Sequence, residues 1–201
     1  DYLVNFVKRK HKKPFLIYYP MLLPHGPHTT TPLNKAKKVA DKDLYAGNVT
    51  YMDFLVGRLV NAIDKAGLKE NTLVIFCGDN GSVKPGFLNG KPYAKGKGRT
   101  ADYGVHVPFI ARAPFLNQRP RLCTDLVDFS DLYPTFLDLA NIKPDKSLKL
   151  DGISMVPSLK GHDDPFEKRN FIYSQLGDVQ LIRDWYHIVD SKGGFHNLSK
   201  D

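Results

Sequence analysis

A short apolar run that ends in a polar, glycine-flanked cluster constrains the fold of this chain more than any other feature. Residues 72–76 read Thr-Leu-Val-Ile-Phe, and residues 77–81 continue as Cys-Gly-Asp-Asn-Gly. A run of this length and β-branched content predicts a buried parallel strand that ends in a loop. Ligands of open α/β sheets bind just outside the carboxyl ends of such strands. The sequence therefore predicts an α/β fold with a ligand site near this loop.

Asp79 and Asn80 place a carboxylate and an amide oxygen side by side in that loop. Hard oxygen donors of this kind suit Ca²⁺ or Mg²⁺. Gly78 and Gly81 allow the backbone to turn sharply and to approach a ligand closely. A plain Asp-Asn-Gly turn is the simpler interpretation of the local motif, because such tripeptides are common in loops. The choice between a metal site and a turn therefore depends on the rest of the chain.

A second apolar run and a long amphipathic stretch precede this loop. Residues 14–19 predict another strand, followed by a loop that contains His25. Apolar residues spaced three and four apart predict a helix over residues 41–66, with Gly67 as the glycine that ends it. Strand, helix and strand of these lengths form a right-handed βαβ crossover, whose two strands point the same way. We therefore expect His25 on the same rim of the sheet as the Asp79-Asn80 pair.

With these segments and two later ones, the chain resembles the second half of a sulfatase of the alkaline-phosphatase superfamily. The matching motifs, in the family's order and spacing, are Pro24-His25, Tyr51-Met-Asp-Phe-Leu-Val-Gly57, Asn71-Thr-Leu-Val-Ile-Phe-Cys-Gly-Asp-Asn-Gly81, Lys97-Gly-Arg-Thr-Ala-Asp-Tyr-Gly-Val-His-Val-Pro-Phe-Ile110 and Asp128-Phe-Ser-Asp-Leu-Tyr-Pro-Thr-Phe136. Each motif alone is weak, whereas five in the right order are specific. The resemblance implies an alkaline-phosphatase-like α/β fold, with a mostly parallel sheet flanked by helices that is incomplete here, and a small antiparallel C-terminal subdomain.

The motif that carries the sulfatase nucleophile is absent from the sequence. Sulfatases contain Cys-x-Pro-x-Arg or Ser-x-Pro-x-Arg, whose first residue becomes formylglycine, but Cys77 precedes Gly-Asp-Asn and Cys123 precedes Thr-Asp-Leu. The family's N-terminal Asp-Asp metal pair is missing too, and the chain starts inside a helix-like stretch. We therefore expect the C-terminal part of a longer enzyme, whose remaining N-terminal part is its partner. This chain alone is expected to be inactive.

The Gly-rich, basic loop between residues 78 and 102 contains the next candidate. Long structureless loops in compact domains are usually either functional or disordered. The resemblance assigns Lys97 as the lysine that contacts the sulfate ester, five residues before the acidic Asp102. Lys91 and Lys95 lie within reach as alternatives, and solvent exposure is the simpler interpretation for any single lysine. The family usually has Glu-Gly-Gly-Val-Arg-Val-Pro where this chain reads Asp-Tyr-Gly-Val-His-Val-Pro, so the substrate preference stays open.

The resemblance also implies a role for each candidate. A divalent cation, Ca²⁺ or Mg²⁺, would take two of its roughly six to eight oxygen ligands from Asp79 and Asn80. Lys97 would neutralise the ester, and His25 would assist proton transfer or bind sulfate. The substrate would be a sulfated small molecule or a sulfated glycan, in a periplasmic, extracellular or lysosomal compartment. Three weaker candidates share these loops: His28, Arg99 and His106.

Charge and hydropathy narrow the possible partners. The net charge is +8, with basic clusters at residues 8–13, 35–38 and 91–99. Such clusters can attract nucleic acids, anionic membranes or polyanionic glycans, although a solvated face is the simpler interpretation of the first cluster. No nucleic-acid motif accompanies them, and no apolar run approaches the ~20 residues of a membrane span. We therefore expect neither a nucleic-acid partner nor a membrane span.

Two other functions stay open from the sequence. One is hydrolysis of phosphate or phosphonate esters by a related metal-dependent enzyme, which the identity of the missing nucleophile would distinguish. The other is a catalytically inactive, basic glycan-binding module, which retention on heparin compared with neutral glycans would distinguish. The sequence itself does not separate these from a sulfatase.

The domain organisation follows from the polar run at residues 161–168. Residues 1–161 are predicted to form the α/β part and residues 162–201 the small antiparallel subdomain. Within them, we expect a strand over residues 105–112 and a helix over residues 129–140 with Ser130 as its N-cap. The short strands expected in the subdomain are residues 170–176, 180–183 and 185–189.

Overall fold

The computed structural model of the protein describes residues 1–35, 38–88, 90–161 and 169–200. These residues form two compact units, Asp1–Thr72 and Leu73–Asp201. The boundary predicted from the polar run falls on residues 162–168, outside the described residues, so the division into residues 1–161 and 162–201 stays a prediction. None of the helices in the described ranges is long and apolar enough to cross a membrane.

The described residues of the first unit form two α-helices, α1 (Tyr2–Val7) and α2 (Asp41–Lys65), and a 3₁₀ turn, Lys69–Asn71. The helix predicted over residues 41–66 is therefore confirmed, and so is its glycine stop. Gly67 has a φ of +73°, a backbone region that glycine adopts without steric cost. Its N–H donates to the Asp64 carbonyl at 3.1 Å, and the Leu68 N–H donates to the Ile63 carbonyl at 3.1 Å. These two bonds form a Schellman motif, which satisfies the last carbonyls of the helix.

The strand predicted over residues 14–19 does not form. Its side chains alternate as in a strand, because Phe15 and Ile17 are half-buried whereas Leu16 and Tyr18 are 68% and 83% exposed. A strand also needs a neighbouring backbone to pair with, and this segment pairs with none of the described residues. The predicted βαβ unit therefore lacks its first strand here. The expectation that His25 and the Asp79-Asn80 pair share one rim of the sheet rested on that unit. It is therefore no longer supported by the strand order and stays a prediction.

The second unit begins with the strand predicted before the Asp-Asn-Gly loop, β1 (Val74–Cys77). It pairs antiparallel with β4 (Phe109–Arg112), so that Cys77 lies opposite Phe109. Every strand pair among the described residues is antiparallel. Residues 14–19, predicted as the parallel neighbour of β1, do not pair with it. The mostly parallel sheet is therefore not seen in the described part of the chain.

The loop between residues 78 and 102 contains regular structure, contrary to the prediction. A hairpin of β2 (Gly86–Leu88) and β3 (Lys91–Tyr93) occupies its middle. A short helix α3 (Asp102–Val105) follows the loop. The strand predicted from residue 105 therefore starts only at β4, directly after Pro108, which is a position where the missing proline N–H costs no sheet hydrogen bond.

The helix predicted over residues 129–140 is a 3₁₀ turn, Phe129–Asp131, that continues into α4 (Leu132–Leu139). Ser130 is not its N-cap, because the Asp128 side chain accepts the Ser130 N–H at 2.9 Å. The Asp131 carboxylate accepts the Asp128 N–H in return at 2.8 Å, which completes a capping box. A shorter helix, α5 (Val156–Lys160), follows downstream.

A four-stranded antiparallel sheet ends the second unit. Its strands lie in sequence order: β5 (Ile172–Leu176), β6 (Val179–Arg183), β7 (His187–Asp190) and β8 (Phe195–Asn197). The first three confirm the predicted short strands, and β8 was not predicted. Leu181 and Ile188 are buried on one face of this sheet, which therefore forms part of the core of the unit. Asp184 turns the chain between β6 and β7, since its carboxylate accepts the His187 N–H at 2.6 Å.

Candidate functional site

Backbone hydrogen bonds join the loop after β1 to the loop that carries Lys97. The Ser82 carbonyl accepts two N–H groups, from Gly96 at 2.8 Å and from Lys97 at 3.0 Å. The Gly81 N–H donates to the Gly104 carbonyl, at the end of α3, at 2.9 Å. The backbones of the Asp-Asn-Gly motif and of Lys97 therefore adjoin in the second unit.

Three glycines allow these backbones to approach so closely. A Cβ atom on Gly81 would lie 2.1 Å from the Tyr103 carbonyl oxygen, and one on Gly96 would lie 2.0 Å from the same oxygen. A Cβ on Gly104 would meet the Arg99 carbonyl oxygen at 2.1 Å. The obstacles are backbone atoms, which cannot move aside as the end of a side chain could. We call Gly81, Gly96 and Gly104 the glycine junction.

Asp79 and Asn80 retain unused oxygen atoms at this junction. Asp79 is exposed, and no donor among the described residues hydrogen bonds to its carboxylate. Asn80 is half-buried and donates its Nδ2 to the Gly81 carbonyl at 3.0 Å, so its Oδ1 remains an available acceptor. Burial raises the pKa of the Cys77 thiol, and the negative charge of Asp79 raises that pKa further. The negative charge of Asp79 therefore acts on Cys77 at the end of β1.

These two oxygens fit part of the coordination shell of a hard cation. The described residues include no cluster of three or more His, Cys, Asp or Glu side chains that could hold a metal ion. A Ca²⁺ ion takes roughly six to eight oxygens. The Asp79-Asn80 pair therefore fits a divalent cation only together with ligands from elsewhere.

Burial separates Lys97 from its two neighbours. Lys97 is half-buried, whereas Lys91 and Lys95 are exposed. Lys91 lies on the hairpin strand β3, and Lys95 follows that strand. The Lys97 N–H also donates to the carbonyl of Ser82, the residue after Gly81 of the glycine junction. Its ammonium group makes no ion pair within the described ranges, which leaves it free to meet an anion.

Asp102 is held by two basic side chains just after the Lys97 loop. Its Oδ1 accepts a hydrogen bond from the guanidinium of Arg183 on β6, and its Oδ2 lies 3.4 Å from Nδ1 of His106. The hydrogen bond from His106 lowers the pKa of Asp102, and the positive charge of Arg183 lowers it further against the opposing effect of burial. His106, a weaker candidate in the sequence, is therefore a partner of Asp102. Sequence reasoning missed Arg183, because 81 residues separate it from Asp102 and no local signal links them.

His25 and His28 lie in the first unit and differ in their surroundings. His28 is half-buried, stacks edge-on against Tyr45 of α2 at 5.2 Å and lies 3.2 Å from the Pro24 carbonyl. His25 is exposed, and its Nδ1 lies 2.7 Å from the Gly26 carbonyl. A carbonyl only accepts, so Nδ1 carries the proton of that bond and Nε2 is left for a ligand. His28 therefore has a packing role, and His25 remains the better candidate.

The structure thus brings together three of the four predicted site residues at backbone level. Asp79, Asn80 and Lys97 lie on adjoining loops of the second unit. His25 belongs to the first unit, and its place in the same site stays a prediction.

Known proteins resemble this chain over most of its length. The family model described as Sulfatase matches residues 1–142. Human arylsulfatase H is 32% identical over 168 residues, which are 78% of this chain and 29% of that protein. An uncharacterized sulfatase of Escherichia coli K12, YdeN, is 33% identical over 187 residues, which are 87% of this chain and 33% of that protein. This chain therefore spans about a third of the length of the curated relatives it matches.

Solved structures support the same relationship. The crystal structure of Ps i-CgsB in complex with k-i-k-neocarrahexaose has a TM-score of 0.80 and is 28% identical. The match covers 99% of this chain and 49% of that chain. The fold of the described residues is therefore shared with about half of that larger protein.

Proposed function

Because the chain belongs to the sulfatase family, we propose that it is the C-terminal part of an enzyme that hydrolyses sulfate esters. The observation that carries this proposal is the glycine junction, which holds the Asp79-Asn80 loop and the Lys97 loop side by side. A cation held by one loop and an ammonium group on the adjoining loop could both bind the negatively charged oxygens of one sulfate ester. The longer protein would complete the mostly parallel α/β sheet around β1.

The residues of this chain would bind and orient the ester in the intact enzyme. Asp79 and Asn80 would hold a divalent cation, Ca²⁺ or Mg²⁺, and Lys97 would neutralise negative charge on the sulfate group. When both ring nitrogens carry a proton, His25 would donate its Nε2–H to the sulfate or to the leaving oxygen, with its ring orientation fixed by the Gly26 carbonyl, which accepts from Nδ1. When bound, the cation would supply charge compensation, and a formylglycine elsewhere in the intact enzyme would supply the nucleophile.

A sulfated carbohydrate is the substrate class that we propose. The support is the likeness of nearly the whole chain to a protein solved with a neocarrahexaose. The positive charge of the chain, +8, also favours an anionic polymer. A sulfated small molecule is the alternative, since the curated relatives include arylsulfatases.

Turnover of a chromogenic aryl sulfate tests the proposed activity. The 201-residue chain should hydrolyse it no faster than buffer, because no other residue replaces the absent nucleophile. The longer protein should turn it over with added Ca²⁺, and Asp79→Ala should abolish most of that activity, with Asn80→Ala costing less because a neutral oxygen binds a hard cation more weakly. The same rate with Asp79→Ala would reduce the motif to a turn. Turnover of an aryl phosphate but not of the sulfate would favour a phosphoesterase, and binding of sulfated glycans without turnover would favour an inactive module.

A further inference from the structure

A basic cleft lies in the first unit, where the ends of α1 and α2 meet. Its volume is about 530 Å³. Four cationic side chains line it, Lys8, Arg9 and Lys10 after α1 and Lys65 at the end of α2. None of its described lining residues is acidic, and none is a candidate site residue named above. We call this feature the basic cleft.

The fold of the unit, rather than the run of basic residues alone, creates the cleft. Val7 is fully buried, and its burial anchors the end of α1 where the basic run begins. An ion pair of 2.5 Å between Asp1 and Arg58 ties the start of α1 to α2. The glycine stop of α2 ends that helix directly after Lys65. Lys65 is therefore brought to a basic run from which more than fifty residues separate it.

His11 fixes the path of the chain beyond the cleft. Its Nε2 lies 2.9 Å from the Phe6 carbonyl of α1, and its ring packs 4.5 Å from the ring of Phe15. Phe6 and Phe15 also meet edge-on at 5.3 Å. This three-ring cluster folds the segment after Lys10 back onto α1. The basic residues before it are therefore held at the helix end.

Stabilisation of the helix ends does not account for so many cations. The carboxyl end of a helix carries roughly half a negative charge, which one lysine near each end can offset. The cleft gathers four cations at two such ends, all of them exposed. None of the four has an acidic partner among the described residues. Most of this positive charge is therefore available to a ligand.

We propose that the basic cleft binds the sulfate groups of a sulfated polysaccharide, as an additional contact outside the residues assigned to the ester. The choice of this ligand rests on the proposed function, and the charge of the cleft is complementary to it. Nucleic acid fits less well, because proteins that bind single strands use aromatic side chains for base stacking, and among the described residues the only ring that lines the cleft is His11. An open cleft with several cations suits a polymer that presents several anions.

Binding of dextran sulfate to the 201-residue chain, with dextran as the uncharged counterpart, tests this proposal. The paired variant Lys8→Gln/Lys10→Gln removes two charges from the cleft. The matched control Lys12→Gln/Lys13→Gln removes two charges from the same basic run at residues that do not line it. At exposed sites we expect the first pair to weaken binding about five- to tenfold and the control to stay within about twofold. Lys65→Gln alone should weaken binding about two- to fourfold. The thermal unfolding midpoint of each variant shows whether it is folded.

Each outcome bears on one claim. Equal losses from both pairs, or no effect of Lys65→Gln, would show that the linear charge and not the cleft binds the polymer. Equal affinity for single-stranded DNA would show that the cleft binds nucleic acid as readily as a sulfated polysaccharide, and the choice of ligand would be wrong. Full competition by inorganic sulfate at the same sulfate concentration would show that the cleft binds a single anion instead of a polymer. If the longer protein turns over the aryl sulfate but both paired variants lose the same affinity for dextran sulfate, the proposal for the basic cleft is wrong and the proposed function stands. If only the Lys8→Gln/Lys10→Gln pair and Lys65→Gln weaken dextran sulfate binding, and the longer protein does not turn over the aryl sulfate, the proposed function is wrong and the proposal for the cleft stands.

Discussion

Asp131 and Asp79 both lie in motifs that carry the family resemblance, but the protein uses their charges in opposite ways. Asp131 is 1% exposed and accepts four hydrogen bonds, from the N–H groups of Asp128 and Ile153 at 2.8 Å and from the Arg169 guanidinium at 2.5 and 3.1 Å. Asp79 is exposed and accepts none from the described residues. A carboxylate whose lone pairs are all used inside the protein stabilises the fold. One with unused lone pairs can bind a ligand.

The residues around Asp131 also serve to stabilise the fold. Thr135 is fully buried, donates to the Asp131 carbonyl at 2.6 Å and accepts the Met155 N–H at 2.8 Å. A Cβ atom on Gly152 would lie 2.0 Å from the Ser130 carbonyl oxygen. The motif at residues 128–136 therefore holds the segment before α5 in place. We call Asp131, Thr135, Gly152 and Arg169 the Asp131 cluster.

The largest expected effect is the loss of the Asp131 charge. Asp131→Ala leaves the Arg169 guanidinium, which is 12% exposed, without its carboxylate, so we expect a loss of about 3–5 kcal/mol in the free energy of unfolding. Asp79→Ala should change that free energy by no more than about 0.5 kcal/mol. Urea unfolding of the 201-residue chain measures both, and Asp131→Asn serves as a milder variant if Asp131→Ala does not fold. Similar losses at the two positions would remove the distinction between them.

The second prediction concerns Lys97 in the longer protein. Lys97→Ala should lower kcat/KM by roughly 10²–10³, the scale for losing one preorganised group that stabilises developing charge. The exposed Lys91 and Lys95 serve as matched controls, each within about tenfold, because exposed charges act mainly through long-range attraction. The Lys97 defect should persist at ~0.5 M salt, where the screening length is short, while the effects of the controls should fade. A silent Lys97→Ala with a crippling Lys95→Ala would show that this loop is wrongly aligned with the family.

A smaller effect is expected from filling the glycine junction. Gly96→Ala places a Cβ against the Tyr103 carbonyl, and we expect a loss of about 1–3 kcal/mol in unfolding free energy. Gly152→Ala in the Asp131 cluster meets an equally close carbonyl and should cost a similar amount. Gly57→Ala on α2 is the control, since its added Cβ meets nothing within 4 Å beyond the neighbouring backbone of its own helix, and it should stabilise the chain by up to about 1 kcal/mol. Unchanged stability of Gly96→Ala would mean that the two loops can separate without cost.

The smallest expected effect is the pH dependence of the Asp102–Arg183 ion pair. The pKa of Asp102 is lowered in the folded protein, so its contribution is fully present above the ordinary pKa of about 3.9 and is lost as pH falls through the lowered value. Asp102→Asn should therefore cost about 1 kcal/mol or less at pH 6–7, because the carboxylate is one-third exposed and the asparagine oxygen can still accept the hydrogen bond of the Arg183 guanidinium. The difference from the unmodified chain should shrink below about pH 4. Urea unfolding between pH 7 and pH 3 measures it, and a difference that grows toward low pH would contradict this account.

The sequence by itself determined the elements whose signals are local. The three-and-four spacing of apolar residues and Gly67 predicted α2 and its end, and the β-branched run predicted β1. Turn residues separated the strands of the final sheet, although β8, which follows Gly193 and Gly194, was missed. These signals suffice because helix periodicity, strand content and glycine stops act within a few residues of the chain. Ordered motifs likewise sufficed to identify the family.

Only the tertiary structure decided which charged side chains are paired and which remain available. Arg169 and Asp131 are 38 residues apart, and Arg183 and Asp102 are 81 residues apart, so neither pair has a signal within any one segment. The run at residues 14–19 has the pattern of a strand, but a strand exists only where a second backbone pairs with it. The glycine junction and the basic cleft likewise depend on segments that are distant in sequence. Sequence fixes local conformation through short-range sterics, whereas the availability of a charge depends on which distant groups the fold brings against it.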